Sequence, residues 1–81
     1  MQITVKFASL FKALTGVDQE QVDVPEGTTV GELAQTLGRK YENIKIESEL
    51  TFFVVNDKVS NRKHILADGD QVRIFQMVAG G

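Results

Sequence analysis

Cysteine is absent from this chain, and proline and histidine occur once each, as Pro25 and His64. Without cysteine there is no disulfide framework, no thiolate metal site and no thiol nucleophile. His64 has no acid, hydroxyl or second histidine at a triad or metal spacing, so a structural side chain is expected there. The longest purely apolar run, Phe52 to Val55, is far too short to span a membrane. No Lys-Ser/Thr follows Gly27 or Gly31 at the spacing of a phosphate loop, so the chain carries no nucleotide motif of its own. The formal net charge is −2 and the densest basic group is only Arg62-Lys63, which argues against nucleic-acid binding.

What is present fits one small domain. The 81 residues are 42 % hydrophobic and 25 % charged, ordinary values for a soluble globular chain. A chain of this length buries roughly 60 % of its unfolded surface, so a single thin core is expected. The opening segment Met1 to Phe7 alternates polar and apolar residues and lacks the basic-then-apolar layout of a secretory signal. A cytoplasmic protein is expected.

Ile3, Val5 and Phe7 alternate with Gln2, Thr4 and Lys6, the pattern of a half-buried strand. Ser9 is placed to cap a short helix in which Leu10, Ala13 and Leu14 share a face, with Gly16 as its stop. Gln21 to Val24 reads as a second strand, closed by the turn Pro25-Glu26-Gly27. Thr29 and Glu32 stand at capping-box spacing and open the principal helix. On it Val30, Leu33, Ala34, Leu37 and Tyr41 recur at helical spacing, facing the core. Residues 42–51 read as a connecting loop in which Ile44 and Ile46 can pair locally. Phe52 to Val55 is a strand ending at Asn56-Asp57, Val59 lies in a short edge strand, Asp68-Gly69-Asp70 marks a turn, and Val72 to Phe75 forms the last strand. This order predicts an α+β fold, a sheet with one principal helix packed across one face.

The end of the chain is the most distinctive feature. Gly80 and Gly81 carry no Cβ, so together they can thread a narrow channel and present an α-carboxylate there. Within the last strand, Val72 and Ile74 inward put Phe75 outward, beside Met77, Val78 and Ala79, as an apolar docking patch. Asp68 and Asp70 around a glycine are expected as a polar turn rather than a cation site, because calcium takes six or more oxygens. No metal ligands are expected.

Several stretches resemble the ubiquitin-like sulfur carriers, most closely the small subunits of molybdopterin synthases. They are Val5 to Leu10 with Gly16, Pro25 to Leu33, Val55-Asn56, Leu66 to Val72, and Val78-Ala79-Gly80-Gly81. Together they span essentially the whole chain. The resemblance implies a β-grasp (ubiquitin-like) fold, a mixed sheet with first and last strands adjacent at its centre. It implies a domain over residues 1–75 and a flexible tail over 76–81. It also implies a chemistry: a ubiquitin-activating-type adenylating enzyme uses ATP to activate the Gly81 carboxylate, and a persulfide sulfur donor converts it to a thiocarboxylate. The chain then binds no cofactor itself and acts as the carrier subunit of a sulfurtransferase, without a catalytic site of its own beyond Gly81. Its partners are the activating enzyme and the molybdopterin synthase large subunit, or thiazole synthase if the pathway is thiamine.

By that resemblance Phe7, Val59 and Phe75 lie on the surface that meets the partners, with Met77, Val78, Ala79 and Gly80 as tail contacts. Alternation puts Phe7 with Ile3 and Val5 instead, so the two readings differ there. The chain departs from many of these small subunits by having Gln76-Met77 where they carry two prolines before the last four residues. A thiamine-pathway carrier, a tungsten-cofactor carrier, a ubiquitin-like modifier conjugated through Gly81, and a β-grasp interaction domain whose tail does no chemistry remain alternatives.

Overall fold

The computed structural model describes residues 1–77. Five strands and two helices form in the order β1 (Gln2–Phe7), α1 (Ser9–Thr15), β2 (Gln19–Asp23), α2 (Val30–Lys40), β3 (Thr51–Val55), β4 (Lys58–Ser60) and β5 (Gln71–Gln76). The strands make one mixed sheet in the order β2-β1-β5-β3-β4. β1 runs parallel to β5 at the centre, and every other pairing is antiparallel. This is the β-grasp arrangement, with α2 packed across one face.

The core follows from strand parity. Ile3, Val5 and Phe7 of β1, Phe53 and Val55 of β3, and Val72 and Ile74 of β5 are all buried. They meet Val30, Leu33, Ala34 and Leu37 from the apolar face of α2. The capping box forms as its spacing predicts: the Thr29 hydroxyl accepts from the Glu32 amide at 3.2 Å, and the Glu32 carboxylate accepts from the Thr29 amide at 3.0 Å. Such a cap is worth about 1 kcal/mol. At the other end, the Tyr41 hydroxyl and the Lys40 ammonium both donate to Glu20, which points inward from β2 and ties that edge strand to the helix.

The first helix differs from expectation. Its N-cap is Ala8, in extended conformation and without a side-chain cap, so Ser9 is the first helical residue and not the capping one. Leu10, Ala13 and Leu14 lie on the exposed side, and the fully buried residue is Phe11. The entry angle decides this. The Ala8 amide donates to the Ile74 carbonyl at 3.1 Å, holding the first turn against β5 so that Phe11 turns inward. Gly16 ends the helix at φ 71°, in the left-handed region that glycine adopts without strain, and its amide donates to Lys12.

The connection after α2 is also more than a loop. Ile44 and Ile46 both enter the core rather than pairing only with each other. Gly38 makes room: a Cβ there would lie 3.1 Å from Cγ2 of Ile46, so a bulkier residue would push that side chain away. The β3–β4 hairpin turns through Asn56 and Asp57, both at positive φ, the backbone of a two-residue hairpin turn.

The Asp-Gly-Asp turn is a structural clasp. Asp68 accepts from the Gln2 amide at 2.7 Å, and Asp70 accepts from the Ala67 amide and the Asn56 side chain at 2.8 and 2.7 Å. Asn56 in turn accepts from the Gln71 amide at 3.0 Å. The start of β5 is thereby fastened to both β1 and the hairpin, which fixes the register of the central strand. No group of three or more His, Asp or Glu side chains among the described residues could hold a metal ion, and no helix among them is long and apolar enough to cross a membrane.

Candidate functional site

Both helices leave one face of the sheet uncovered. Side chains opposite in parity to the core point onto it: Gln2, Thr4 and Lys6 from β1, Gln19, Gln21 and Asp23 from β2, Gln71, Arg73 and Phe75 from β5, Phe52 and Val54 from β3, and Val59 from β4. Half of this face, on β1 and β2, is polar; Gln21 donates to the Thr4 hydroxyl across it at 2.9 Å. The other half is apolar on β3, β4 and the end of β5, while Gln71 and Arg73 carry the polar half onto the start of β5.

Phe75 stands at the centre of the apolar half. It is opposite Phe52 in the β3–β5 register, and the two rings stack with centroids 5.6 Å apart and 21° between planes. Phe75 is half-buried by that contact, while Phe52 keeps 37 % of its surface exposed. Val59 is 77 % exposed on the edge strand, beside Val54. Met77, 56 % exposed, follows Phe75 by two residues, and its amide donates to the Leu50 carbonyl at 3.0 Å. The β3–β5 pairing thus reaches past the expected end of the last strand at Phe75.

Phe7 requires a correction. Its side chain is only 3 % exposed and lies on the helix-covered face, edge-on to Tyr41 at 5.4 Å. Alternation with Ile3 and Val5 is the rule that holds, and Phe7 is a core residue rather than part of the open surface. Phe52 is the residue that takes its place. The sequence offered a signal for it: with Phe53 and Val55 inward, Phe52 and Val54 must point outward. Val78, Ala79, Gly80 and Gly81 lie outside the described residues. His64 is exposed, and it serves the fold through its backbone carbonyl, which accepts from Val30 at 2.9 Å.

The arrangement has no acid–base pair or nucleophile poised on this face. It gathers a stacked aromatic pair, two aliphatic side chains and a methionine on one side of the sheet, beside the strand that leads to the chain's last residues. Exposed apolar surface of this kind marks interaction sites.

Comparison with known proteins places the fold and the chain. Residues 5–81 match the model of the ThiS family. The molybdopterin synthase sulfur carrier subunit of Mycobacterium tuberculosis is 32 % identical over 75 residues, covering 93 % of this chain and 90 % of the relative. Among solved structures, SAMP1 from Haloferax volcanii superposes with a TM-score of 0.88 at 19 % identity, over the full length of both chains. The complex of subunits 1 and 2 of the molybdopterin-converting factor from Helicobacter pylori contains a chain with a TM-score of 0.69 at 22 % identity, again covering both chains fully. At those identities the structures speak for the shared fold; the family match and the curated relative speak for descent. The chain belongs to the ThiS family of ubiquitin-like sulfur carriers.

Proposed function

We propose that this carrier works through a thiocarboxylate on Gly81 and delivers sulfur in the building of the molybdopterin dithiolene, as the small subunit of a molybdopterin synthase. The observation that carries this reading is the 32 % identity, across 93 % of the chain, to a molybdopterin synthase sulfur carrier subunit. The open apolar face adds to it, because docking there holds β5 and aims the residues that follow Met77 into a partner.

The chemistry needs a sequence of balanced steps. A carboxylate is a poor electrophile, so an adenylating enzyme joins the Gly81 carboxylate to AMP from ATP, releasing pyrophosphate. The terminal sulfur of a persulfide attacks the activated carbonyl and AMP leaves, giving an acyl disulfide. A thiol then cleaves its sulfur–sulfur bond and leaves the thiocarboxylate on Gly81. All catalytic groups and the ATP site belong to the partner enzymes. This protein supplies the terminal carboxylate and the surface by which it is recognised. The carrier and its enzymes work in the cytoplasm on this reading.

Intact mass spectrometry tests it. After incubation with the host's activating enzyme, ATP and a persulfide donor, one oxygen of Gly81 should be replaced by sulfur. Loaded protein with the large synthase subunit should then convert the pterin precursor. Transfer to thiazole synthase instead would assign the thiamine pathway, and lysine-linked conjugates that vanish on deleting Gly81 would assign a modifier role. An unchanged mass under those conditions rules the carrier chemistry out.

A further inference from the structure

Across the open face the strand registers align one row of side chains from all five strands: Gln19, Lys6, Arg73, Val54 and Val59. Lys6 and Arg73 are direct cross-strand partners at its centre. Like charges in that position destabilise a sheet. The flanking rows on the same face offer no relief, being Gln21, Thr4 and Gln71 on one side and Phe75 and Phe52 on the other. Among the described residues the ion pairs are Lys12–Asp18, Lys40–Glu20 and Arg62–Glu47, and none includes either cation. Asp57 borders the same shallow hollow as Lys6 and Arg73 without forming an ion pair with them.

Two adjacent cations with no ion-pair partner among the described residues, in a chain of net charge −2, leave room for a counterion from outside. We infer that Lys6 and Arg73 form a docking element for a carboxylate-bearing segment of a partner protein. An Asp or Glu of that segment lies between the two cations, and an adjacent apolar residue seats on Phe52, Phe75 and Val59. The guanidinium of Arg73 suits this role because it binds a carboxylate with two parallel hydrogen bonds. The aromatic and aliphatic side chains beside the pair favour a protein segment over a polyanion, which would need a broader basic field. The like-charge contact is then a stability cost retained for recognition. This inference rests on the reading of the open face as the docking surface.

The test is calorimetric titration of the full chain with the host's large synthase subunit, at low and high salt. Wild type is compared with the double variant Lys6→Gln/Arg73→Gln and with Phe75→Ala. At low salt the double variant should bind about tenfold or more weakly, and the deficit should shrink toward nothing near 1 M salt, where the screening length is only ~3 Å. Phe75→Ala should bind weakly at both salt concentrations. The double variant should melt no lower than wild type, since the repulsion is gone. Wild-type affinity and salt dependence in the double variant, with Phe75→Ala impaired, overturns the charge inference and leaves the docking face standing. Wild-type affinity in Phe75→Ala as well overturns the docking face itself. A melting point several degrees below wild type shows the cations to be structural, which also overturns the inference.

Discussion

Phe52 and Phe75 face each other across β3 and β5 with their rings stacked at 5.6 Å, on the side of the sheet that neither helix covers. A stacked pair of this kind is worth about 0.5–1.5 kcal/mol beyond the area it buries. It lies on an open face beside Val59 and Met77, where the proposed docking of a partner would use it as an anchor.

Replacing Phe75 with alanine should therefore cost binding more than folding. We expect partner affinity to fall by at least about tenfold, in keeping with aromatic anchors at interface centres, while the melting temperature drops by only a few degrees. Phe52→Ala should act in the same direction, and the two losses should not add, because each variant already breaks the stack. Calorimetry and thermal unfolding on the four proteins of that cycle check this. A large fall in stability with normal binding would refute it.

Deleting Gly81 should abolish sulfur transfer without lowering the melting temperature. Among the described residues Ile74 is the last buried apolar side chain, and the carrier reading gives Gly81 a chemical role rather than a packing one. Parallel assays of activity and thermal unfolding decide this, and a comparable loss of both would sink the carrier reading of Gly81.

The first helix offers a sharp internal contrast. Phe11 is fully buried, so Phe11→Ala should destabilise by about 3–5 kcal/mol. Leu10 is largely exposed, and Leu10→Ala should cost well under about 1 kcal/mol. Urea unfolding of both variants measures the difference; equal losses would contradict the helix orientation described above.

Glu20 should shape stability in alkali. Its hydrogen bond is the first cause raising Lys40 above its ordinary 10.5, while burial, and then the bond to Glu20, raise Tyr41 above its ordinary 10.0. Both folded values are raised, so both contributions are fully present below the unfolded values and are lost as pH rises through the folded ones. Wild-type stability should fall above about pH 10, and Glu20→Gln should show a shallower fall from a lower starting point. Urea midpoints at pH 8 and pH 11 test this; parallel curves for the two proteins would remove Glu20 from the alkaline transition.

Much of this architecture was legible in the chain because its signals are local. The capping box at Thr29 and Glu32, the 3.6-residue spacing along α2, the alternation in β1 and β5, and the turns at Asn56-Asp57 and Asp68-Gly69-Asp70 each depend on residues within a few positions. Parity alone put Phe75 outward, and the same rule, applied to Phe7, kept it inside against the contrary implication of family resemblance. The resemblance to the ubiquitin-like sulfur carriers also lies in the sequence, in Gly80-Gly81 together with the stretches around the turns.

Where two segments far apart in sequence must meet, only the tertiary structure decided. Leu10, Ala13 and Leu14 form as good an apolar helix face as any, but the bond from Ala8 to Ile74 sets the rotation that buries Phe11 instead. Ile44 and Ile46 sit in a polar stretch with no period, and the burial of Ile46 depends on the gap that Gly38 leaves on α2. The pairing of Phe52 with Phe75 and of Lys6 with Arg73 is a matter of strand register across 23 and 67 positions of chain. Periodicity says which side of a strand a residue takes; which residue it meets there is fixed by the long-range hydrogen bonds that align the sheet.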